Sequence, residues 1–191
     1  MDILCGDDTL LLRPFKESDL KNFARYRAKP EIARFQSWDE NYTLEDASAL
    51  FRAMDYDRFA EPGLWFQIAI VQRLSGELLG DLALHFLPQL QVEIGFTLAP
   101  ESQHNGVARR ALRLLLPHLF SKYGIHRLTA LTDTRNLPAQ KLLEALHFRC
   151  EAHYVKSLCF KGCWVDEYRY ALLREEFHQF TPLKRSTAPQ P

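Results

Sequence analysis

The chain has 191 residues, of which 47% are hydrophobic, and its 24 lysines and arginines balance its 24 aspartates and glutamates. This length predicts a single domain with a sizeable core, and the zero net charge gives no basic surplus for nucleic-acid binding. No apolar run approaches the roughly 20 residues that span a bilayer, and the acidic N-terminus does not fit a secretory signal. We expect a cytoplasmic domain over residues 1–180 and a disordered, polar tail over residues 181–191.

The first third of the chain predicts one strand followed by two helices. Residues 9–14 form an apolar strand that ends at a proline. Ser18 is the predicted N-cap of a first helix, because apolar residues follow it at helical spacing. A loop that begins at Pro30 holds at most a short helix. Thr43 and Asp46 then form a capping box that starts the second helix.

From residue 64 onward, the periodicity changes to that of strands separated by two helices. Strands are predicted at residues 64–71, 78–86, 91–98, 126–132, 148–158 and 163–172, and helices at residues 106–123 and 138–146. Trp65 and Phe66 lie within an apolar strand, so we expect both in the core. The order β-α-α-β-β-β-α-β-α-β-β requires a mixed sheet with helices on its faces, since a strand–helix–strand step interrupts the hairpins.

The cysteines do not form a metal-binding or redox motif. Cys5, Cys150, Cys159 and Cys163 include no Cys-x-x-Cys pair, and a cytoplasmic setting argues against disulfides. Cys159, Cys163 and His153 could in principle ligate a metal, but their spacing does not fit a zinc knuckle and their segment has the pattern of strands. We therefore expect free thiols and no bound metal.

A strand–loop–helix junction is the most informative feature of the sequence. The strand EIGFTLAP ends at Pro100, and the loop QHNGVA, residues 103–108, opens directly into a long helical pattern. The first backbone N–H groups of a helix have no partner within it, and the helix dipole is positive there, so this junction suits a pyrophosphate. Gly106 lacks a Cβ and Ala108 is small, so the backbone can approach a phosphate closely.

This loop matches the (Arg/Gln)-x-x-Gly-x-(Gly/Ala) signature of the GNAT acetyltransferases, and further motifs follow along the chain. The segments LLLRPF, EIGFTLAP, DTRNLPA, LEALHF and KGCWVDEY, in that order, resemble the RimJ/RimL-like N-acetyltransferases of this family. The resemblance spans residues 9–177. The ordered set is far more specific than the glycine loop alone, since most short glycine motifs are ordinary turns.

The resemblance implies the GNAT fold, an α/β fold of the α+β type. Its central, twisted and mostly antiparallel sheet is splayed between the fourth and fifth strands and carries helices on both faces. The resemblance also implies acetyl-CoA as co-substrate, and the pantetheine arm should pair with the edge of strand 91–98 like an added strand. Residues expected to bind acetyl-CoA are Phe96, Thr97, Leu98, Gln103, His104, Asn105, Gly106, Val107, Ala108, Arg109 and Asn136.

Two of these residues have a second interpretation. Asn136 matches the asparagine that helps to hold the pantetheine in the family, and asparagine is also a common helix cap. Arg109 stands where family members often carry threonine or serine, so it would contact a phosphate through its charge. It is alternatively a solvated helix arginine.

Glu93 is the predicted general base. Strand alternation puts Glu93, Gly95 and Thr97 on one face, and a carboxylate there can take a proton from an amine directly or through water. The alternative is that Glu93 is only a surface residue. His85 on the neighbouring strand and Tyr154 are lesser candidates. The backbone N–H groups of residues 96–98 are expected to stabilise the oxyanion.

The general acid of the family has no counterpart in this sequence. Ala139 stands where some RimL-like members have a serine, Leu143 where many members have a tyrosine, and His147 where a glycine is usual. A thiol with a pKa of about 8.5 is an adequate leaving group, so the CoA thiolate can leave unaided or take a proton from water.

Aromatic residues and carboxylates are expected to form the acceptor pocket. The expected acceptor-binding residues are Trp38, Tyr42, His85 and Trp164. Asp39 and Asp166 could add negative charge, and this combination suits a cationic amine or a peptide N-terminus. Trp164 is alternatively a core residue, and Trp38 is alternatively just half-buried.

The sequence therefore predicts direct transfer of an acetyl group from acetyl-CoA to a primary amine in a ternary complex, with a protein N-terminal α-amine favoured. Acetylation of a small amine, such as a polyamine, an amino acid or an antibiotic, is the main alternative. A third hypothesis is a non-catalytic acyl-CoA-binding module, because the general acid of the family is missing. The resemblance implies that a homodimer can form, and no nucleic-acid, membrane or metal partner is expected.

Overall fold

The computed structural model describes residues 4–180 and shows one eight-stranded sheet. The strands are β1 Cys5–Gly6, β2 Leu10–Pro14, β3 Trp65–Gln72, β4 Leu78–Leu87, β5 Gln91–Leu98, β6 Arg127–Asp133, β7 Arg149–Phe160 and β8 Cys163–Leu173. Their spatial order is β1-β2-β3-β4-β5-β6-β8-β7, and every neighbouring pair is antiparallel except the parallel pair β5–β6. The predicted mixed, mostly antiparallel sheet is confirmed.

Helices lie on both faces of this sheet. They are α1 Leu20–Arg27, α2 Pro30–Ala33, α3 Leu44–Arg52, α4 Val107–Lys122, α5 Leu137–Glu144 and α6 Arg174–Phe180. β1 and α6 were not predicted from the sequence. The predicted disordered tail, residues 181–191, lies outside the described residues.

The sheet separates two hydrophobic cores, because successive side chains of a strand point to opposite faces. From β3, Phe66, Ile68 and Ile70 enter a first core that packs against α4, whereas Ala69 and Val71 enter a second core under α1, α2 and α3. The buried face of α4 consists of Ala111, Leu112, Leu115, Leu116, Leu119 and Phe120. One sheet therefore supports both layers of helices.

One predicted helix start is confirmed and the other is wrong. The N–H of Asp46 donates to Thr43 Oγ1 at 3.1 Å and the N–H of Thr43 donates to Asp46 Oδ2 at 2.8 Å, so the capping box begins α3 as predicted. Ser18, in contrast, is exposed and caps nothing, because α1 begins after a 3₁₀ turn over Glu17–Asp19. Asp19 is instead held in a buried ion pair with Arg13, with an N–O distance of 2.6 Å.

The expectation that Trp65 lies in the core was also wrong. Trp65 is 48% exposed, and its ring stacks on His85 with centroids 4.4 Å apart. It is the first residue of β3, and its neighbour Phe66 is buried in the first core. Alternation then turns Trp65 to the opposite face, at a strand end that the helices do not cover.

The sheet opens between β5 and β6. These strands pair only over residues 91–93 and 127–129, and no further pair joins them in the described part of the chain. β5 and β6 correspond to the fourth and fifth strands predicted from the sequence, because β1 was not among the predicted strands. The predicted splay is therefore confirmed, and it creates a gap beside the second half of β5.

Candidate active site

α4 begins at a glycine in the left-handed conformation. Gly106 has a φ of +73°, and a Cβ added there would meet no atom within 4 Å, so the backbone angle rather than crowding favours glycine. The N–H of Arg110 donates to the carbonyl of Gly106 at 3.0 Å, which closes the first turn. The N–H groups of residues 107–109 precede that bond and have no partner within the helix. This end of α4 therefore favours an anion.

The edge of β5 that faces β6 is open beyond residue 93. The N–H of Ala99 donates to the carbonyl of Leu79 at 2.9 Å, and the backbone groups of a strand alternate between its two sides. The N–H groups of Phe96 and Leu98 therefore point away from β4, into the gap. Gln103 Nε2 donates to the carbonyl of Leu98 at 3.3 Å and ties the loop to the strand. A peptide-like ligand can pair with such an edge as an added strand.

A pocket of about 340 Å³ joins the start of α4 to this open edge, and we call it the α4 pocket. It is lined by the predicted residues Phe96, Thr97, Leu98, Gln103, His104, Gly106, Val107, Ala108, Arg109 and Asn136. Asn105, also predicted, is not part of the lining. The structure thus brings nearly the whole predicted set to one cavity.

The far wall of the α4 pocket was missed by the sequence analysis. It comes from α2 and the residues after it and from α5, namely Glu31, Ile32, Phe35, Gln36, Pro138, Ala139 and Leu142. Nothing local in the sequence indicates that Phe35 and Gln36 approach α4, because some 70 residues separate them and only the packing of α1–α3 on the sheet brings them together.

A second cavity of about 140 Å³ lies where β5 and β6 part, and we call it the cleft pocket. It shares Phe35, Gln36, Phe96, Asn136 and Ala139 with the α4 pocket, so the two cavities are adjacent. Its other lining residues are Ile94, Gly95, Ala130, Leu131, Thr132, Asp133, Leu143, Leu158, Phe160, Val165 and Glu167. A cavity lined by both apolar side chains and two carboxylates therefore adjoins the anion-favouring pocket.

Asn136 caps α5, which is one of the two interpretations that the sequence left open for it. Its Oδ1 accepts the N–H of Ala139 at 3.3 Å and caps α5, and the residue also borders both pockets. Ala139 and Leu143 are buried and line the cleft pocket, so the positions where the family carries an acid are apolar here.

Glu93 lies at the closed end of the gap and lines neither pocket. It is half-buried, and it pairs with His85 on β4 and Thr129 on β6. His85 is itself covered by Trp65. Of the two predicted routes of proton transfer to Glu93, direct and through water, this position fits the second better.

The predicted acceptor aromatics do not form one wall. The Trp38 ring lies over the buried guanidinium of Arg27, with Cζ 3.7 Å from the ring centroid, and its Nε1 donates to the Arg27 carbonyl at 3.1 Å. Tyr42 is half-buried beside it, with ring centroids 5.9 Å apart. Trp164 is 64% exposed near the end of the β7–β8 hairpin, which excludes a core position. None of these three aromatic residues lines either pocket. Tyr154, a lesser candidate for the base, is exposed on β7 and lines neither pocket.

The β7–β8 hairpin is fastened over the loop after α2. Lys161 Nζ donates to the carbonyls of Ala33 and Trp38, both at 2.8 Å, and lies 3.4 Å from a carboxylate oxygen of Asp39. This attachment places Phe160, next to Lys161, in the wall of the cleft pocket. Asp166 points elsewhere, because its carboxylate accepts the N–H of Lys156 and contacts His153.

A buried charge network packs against the segment that follows α2. Arg27 Nη2 donates to Asp81 Oδ2 at 3.1 Å, and the hydroxyl of Tyr26 donates to the other oxygen of Asp81. Burial and the neighbouring Asp81 charge raise the pKa of Tyr26 well above its usual value, so Tyr26 keeps its proton at neutral pH. Since Arg27 also contacts Trp38 and Tyr42, this network fixes the loop that borders the pockets.

The geometry of the splayed sheet, the open β5 edge and the start of α4 agrees with the comparisons with known proteins. Residues 9–149 match the acetyltransferase (GNAT) domain family, which is more than half of the chain. The chain therefore belongs to the GNAT family of N-acetyltransferases, whose fold uses acetyl-CoA. The predicted membership of the GNAT family is thereby confirmed.

One curated relative and two solved structures illustrate the match. The chain is 26% identical over 170 residues to the uncharacterized N-acetyltransferase YnaD of Bacillus subtilis (strain 168), covering 88% of this chain and 96% of YnaD. RimJ of Mycobacterium smegmatis in complex with CoA-disulfide has a TM-score of 0.78 at 21% identity, covering 92% of this chain and 91% of RimJ. Spermidine N-acetyltransferase of Vibrio cholerae in complex with CoA and spermine has a TM-score of 0.76 at 20% identity, covering 90% and 99%. The two structures share the fold.

The described residues hold neither a metal-ligand cluster nor a helix that could span a membrane. Over residues 4–180, no group of three or more histidine, cysteine, aspartate or glutamate side chains is placed to hold a metal ion. In the same part of the chain, none of the helices has both the length and the apolar character needed to cross a bilayer.

Proposed function

We propose that this enzyme transfers the acetyl group of acetyl-CoA to the α-amine of a protein N-terminus, by direct attack within a ternary complex. The observation that carries the proposal is the α4 pocket, in which an anion-favouring helix start adjoins an unpaired strand edge. The N–H groups of residues 107–109 suit the pyrophosphate, and the free edge of β5 suits the pantetheine.

The chemistry needs a neutral amine and a stabilised oxyanion. An α-amine has a pKa near 8, against about 10.4 for lysine, so it loses its proton more easily at neutral pH. The N–H groups of Phe96 and Leu98 point into the gap and can donate to the thioester oxygen as charge develops there. Holding both reactants in place can itself lower the barrier by roughly 7–11 kcal/mol in well-aligned model systems.

Direct transfer is supported by the positions of the cysteines. Cys150, Cys159 and Cys163 are exposed on the β7–β8 hairpin, and none of them lines the α4 pocket or the cleft pocket. Cys5 lies on β1, and burial raises the pKa of its thiol to about 11, which keeps it protonated. The described thiols therefore offer no carrier for an acetyl-enzyme intermediate.

A small cationic amine is the second candidate acceptor. The spermidine N-acetyltransferase of Vibrio cholerae shares the fold, and two carboxylates line the cleft pocket of this chain. Neither the fold nor the α4 pocket indicates whether the acceptor is a small amine or a peptide N-terminus.

The test is CoA release from acetyl-CoA in the presence of peptides with free N-termini, polyamines, amino acids and aminoglycosides. We expect the highest kcat/KM with peptides. A higher kcat/KM with polyamines or aminoglycosides would replace the proposed acceptor with the second candidate.

The same assay tests Glu93 as the base. Glu93→Gln should lower kcat by about 10²-fold or more, the lower end of the usual effect of a general base, and leave the Kd for acetyl-CoA unchanged. Glu77→Gln, an equivalent change in the exposed β3–β4 turn, is the matched control and should keep full activity. If kcat survives Glu93→Gln, Glu93 is not the base.

A further inference from the structure

We propose that Glu167 selects the acceptor by charge, binding a cationic amine and disfavouring one that carries a neighbouring carboxylate. This inference rests on the proposed function and deepens it. The expected acceptors are then the α-amines of peptides or amides and the amines of polyamines. Free amino acids are excluded, because each carries a carboxylate next to its amine. Glu167 was not among the residues that the sequence analysis singled out.

Glu167 projects into the gap where the acceptor must meet the thioester. On β8 it is the direct cross-strand partner of Asp133 on β6, and both residues line the cleft pocket. Asp133 lies on the same sheet face as Thr129, four residues earlier, and Thr129 pairs with Glu93. Glu167 and Glu93 therefore belong to the same face, on opposite sides of the opening between β5 and β6.

Of the two carboxylates in the cleft pocket, only Glu167 lacks an ion pair among the described residues. Asp133 Oδ1 accepts the N–H and the Nε of Arg135 at 2.8 and 2.9 Å, and this arginine holds the pKa of Asp133 below its usual value. Glu167 Oε2 accepts the hydroxyl of Ser157 at 2.9 Å. Over residues 4–180, no lysine, arginine or histidine forms an ion pair with Glu167, and its Oε1 accepts no hydrogen bond.

The surroundings of Glu167 favour a strong interaction between its carboxylate and a charged acceptor. No lysine, arginine or histidine of residues 4–180 lines the cleft pocket, and its other walls include Phe35, Leu158 and Phe160. A half-buried carboxylate beside apolar walls attracts an ammonium group and repels a second carboxylate more strongly than it would in open water. Aromatic rings at the same site also favour a cation.

The test measures binding rather than turnover, so that it is independent of the rate. Phenylalanine amide, a monocation, and free phenylalanine, a zwitterion, are titrated calorimetrically into the protein saturated with CoA. The wild type should bind the amide more tightly. Glu167→Gln should weaken binding of the amide by about 10-fold or more, the usual loss for a hydrogen bond to a charged group, and reduce the preference over phenylalanine. The Kd for CoA should not change.

Glu175→Gln, an equivalent change on the exposed part of α6, is the matched control and should leave both titrations unchanged. The inference is overturned if Glu167→Gln binds both probes as the wild type does, or if the wild type binds phenylalanine at least as tightly as its amide. Failure of the turnover assay with peptides would instead count against the proposed function, because the calorimetric comparison does not depend on it.

Discussion

At the scale of single residues, the backbone angle of Gly106 sets where α4 begins. A φ of +73° is adopted readily only by glycine, and this conformation costs other residues roughly 1–2 kcal/mol of conformational free energy. Gly106 also lines the α4 pocket, so an added methyl group would occupy space that the pyrophosphate is expected to use. Gly106→Ala should therefore lower the free energy of unfolding by about 1 kcal/mol and weaken acetyl-CoA binding by about 10-fold, measured by thermal denaturation and calorimetry.

Gly76 provides a matched control for this substitution. Its φ is +72°, a Cβ there would also meet nothing within 4 Å, and it lies in the β3–β4 turn outside both pockets. Gly76→Ala should cost the same stability and leave acetyl-CoA affinity unchanged. Equal losses of affinity in the two variants would show that the effect at Gly106 is one of folding and not of contact with the ligand.

At the scale of elements, a charged side chain links strands that are not direct neighbours. Glu151 on β7 accepts hydrogen bonds from Arg127 on β6, across the intervening strand β8, and from Arg149 on its own strand. The two arginines lower the pKa of Glu151 to about 2. Since the folded pKa lies below the unfolded one, the stabilisation is complete above the unfolded value of about 4.5 and disappears as the pH falls toward 2.

This ion pair predicts a pH-dependent difference between wild type and Glu151→Gln. At pH 7 the variant should be less stable by about 0.5–1 kcal/mol, the range for partly exposed pairs, and the difference should vanish as the pH falls from 4.5 toward 2. Urea denaturation at several pH values measures this. A difference that stays constant across the range would mean that the Glu151 carboxylate gains nothing from its arginines.

At the scale of the whole molecule, one sheet supplies both hydrophobic cores. On β3, Phe66 and Ile68 pack in the core under α4, and Ala69 packs in the core under α1, α2 and α3. Loss of either layer of helices would expose the shared strands. Residues 4–180 should therefore unfold in one cooperative transition, as expected for a single domain.

Matched substitutions in the two cores test this cooperativity. Leu115→Ala in α4 and Leu20→Ala in α1 should each lower the free energy of unfolding by about 2–5 kcal/mol and shift the whole transition. Circular dichroism and tryptophan fluorescence should give coincident curves for both variants. A separate early transition in only one of them would divide the chain into two units.

Much of the fold could be predicted from the sequence because its signals are local. β5 has the predicted bounds, Gln91–Leu98, and the capping box of Thr43 and Asp46 starts α3, since both depend on neighbouring residues. The errors arose where distant contacts override local preference. Ser18 fails as a cap because Asp19 is held by Arg13, and Trp65 is exposed because only one face of that strand end is covered.

The sequence by itself determined the class of enzyme, through an ordered set of motifs along the chain. It also determined one wall of the α4 pocket, because strand, glycine and helix start follow one another within about 20 residues. Only the tertiary structure decided how the rest of the site is arranged. Phe35, Asp133 and Glu167 come from three separate parts of the chain, and they meet because β5 and β6 diverge and the β7–β8 hairpin is fastened over the gap. No local pattern can reveal a wall that is built from such distant elements.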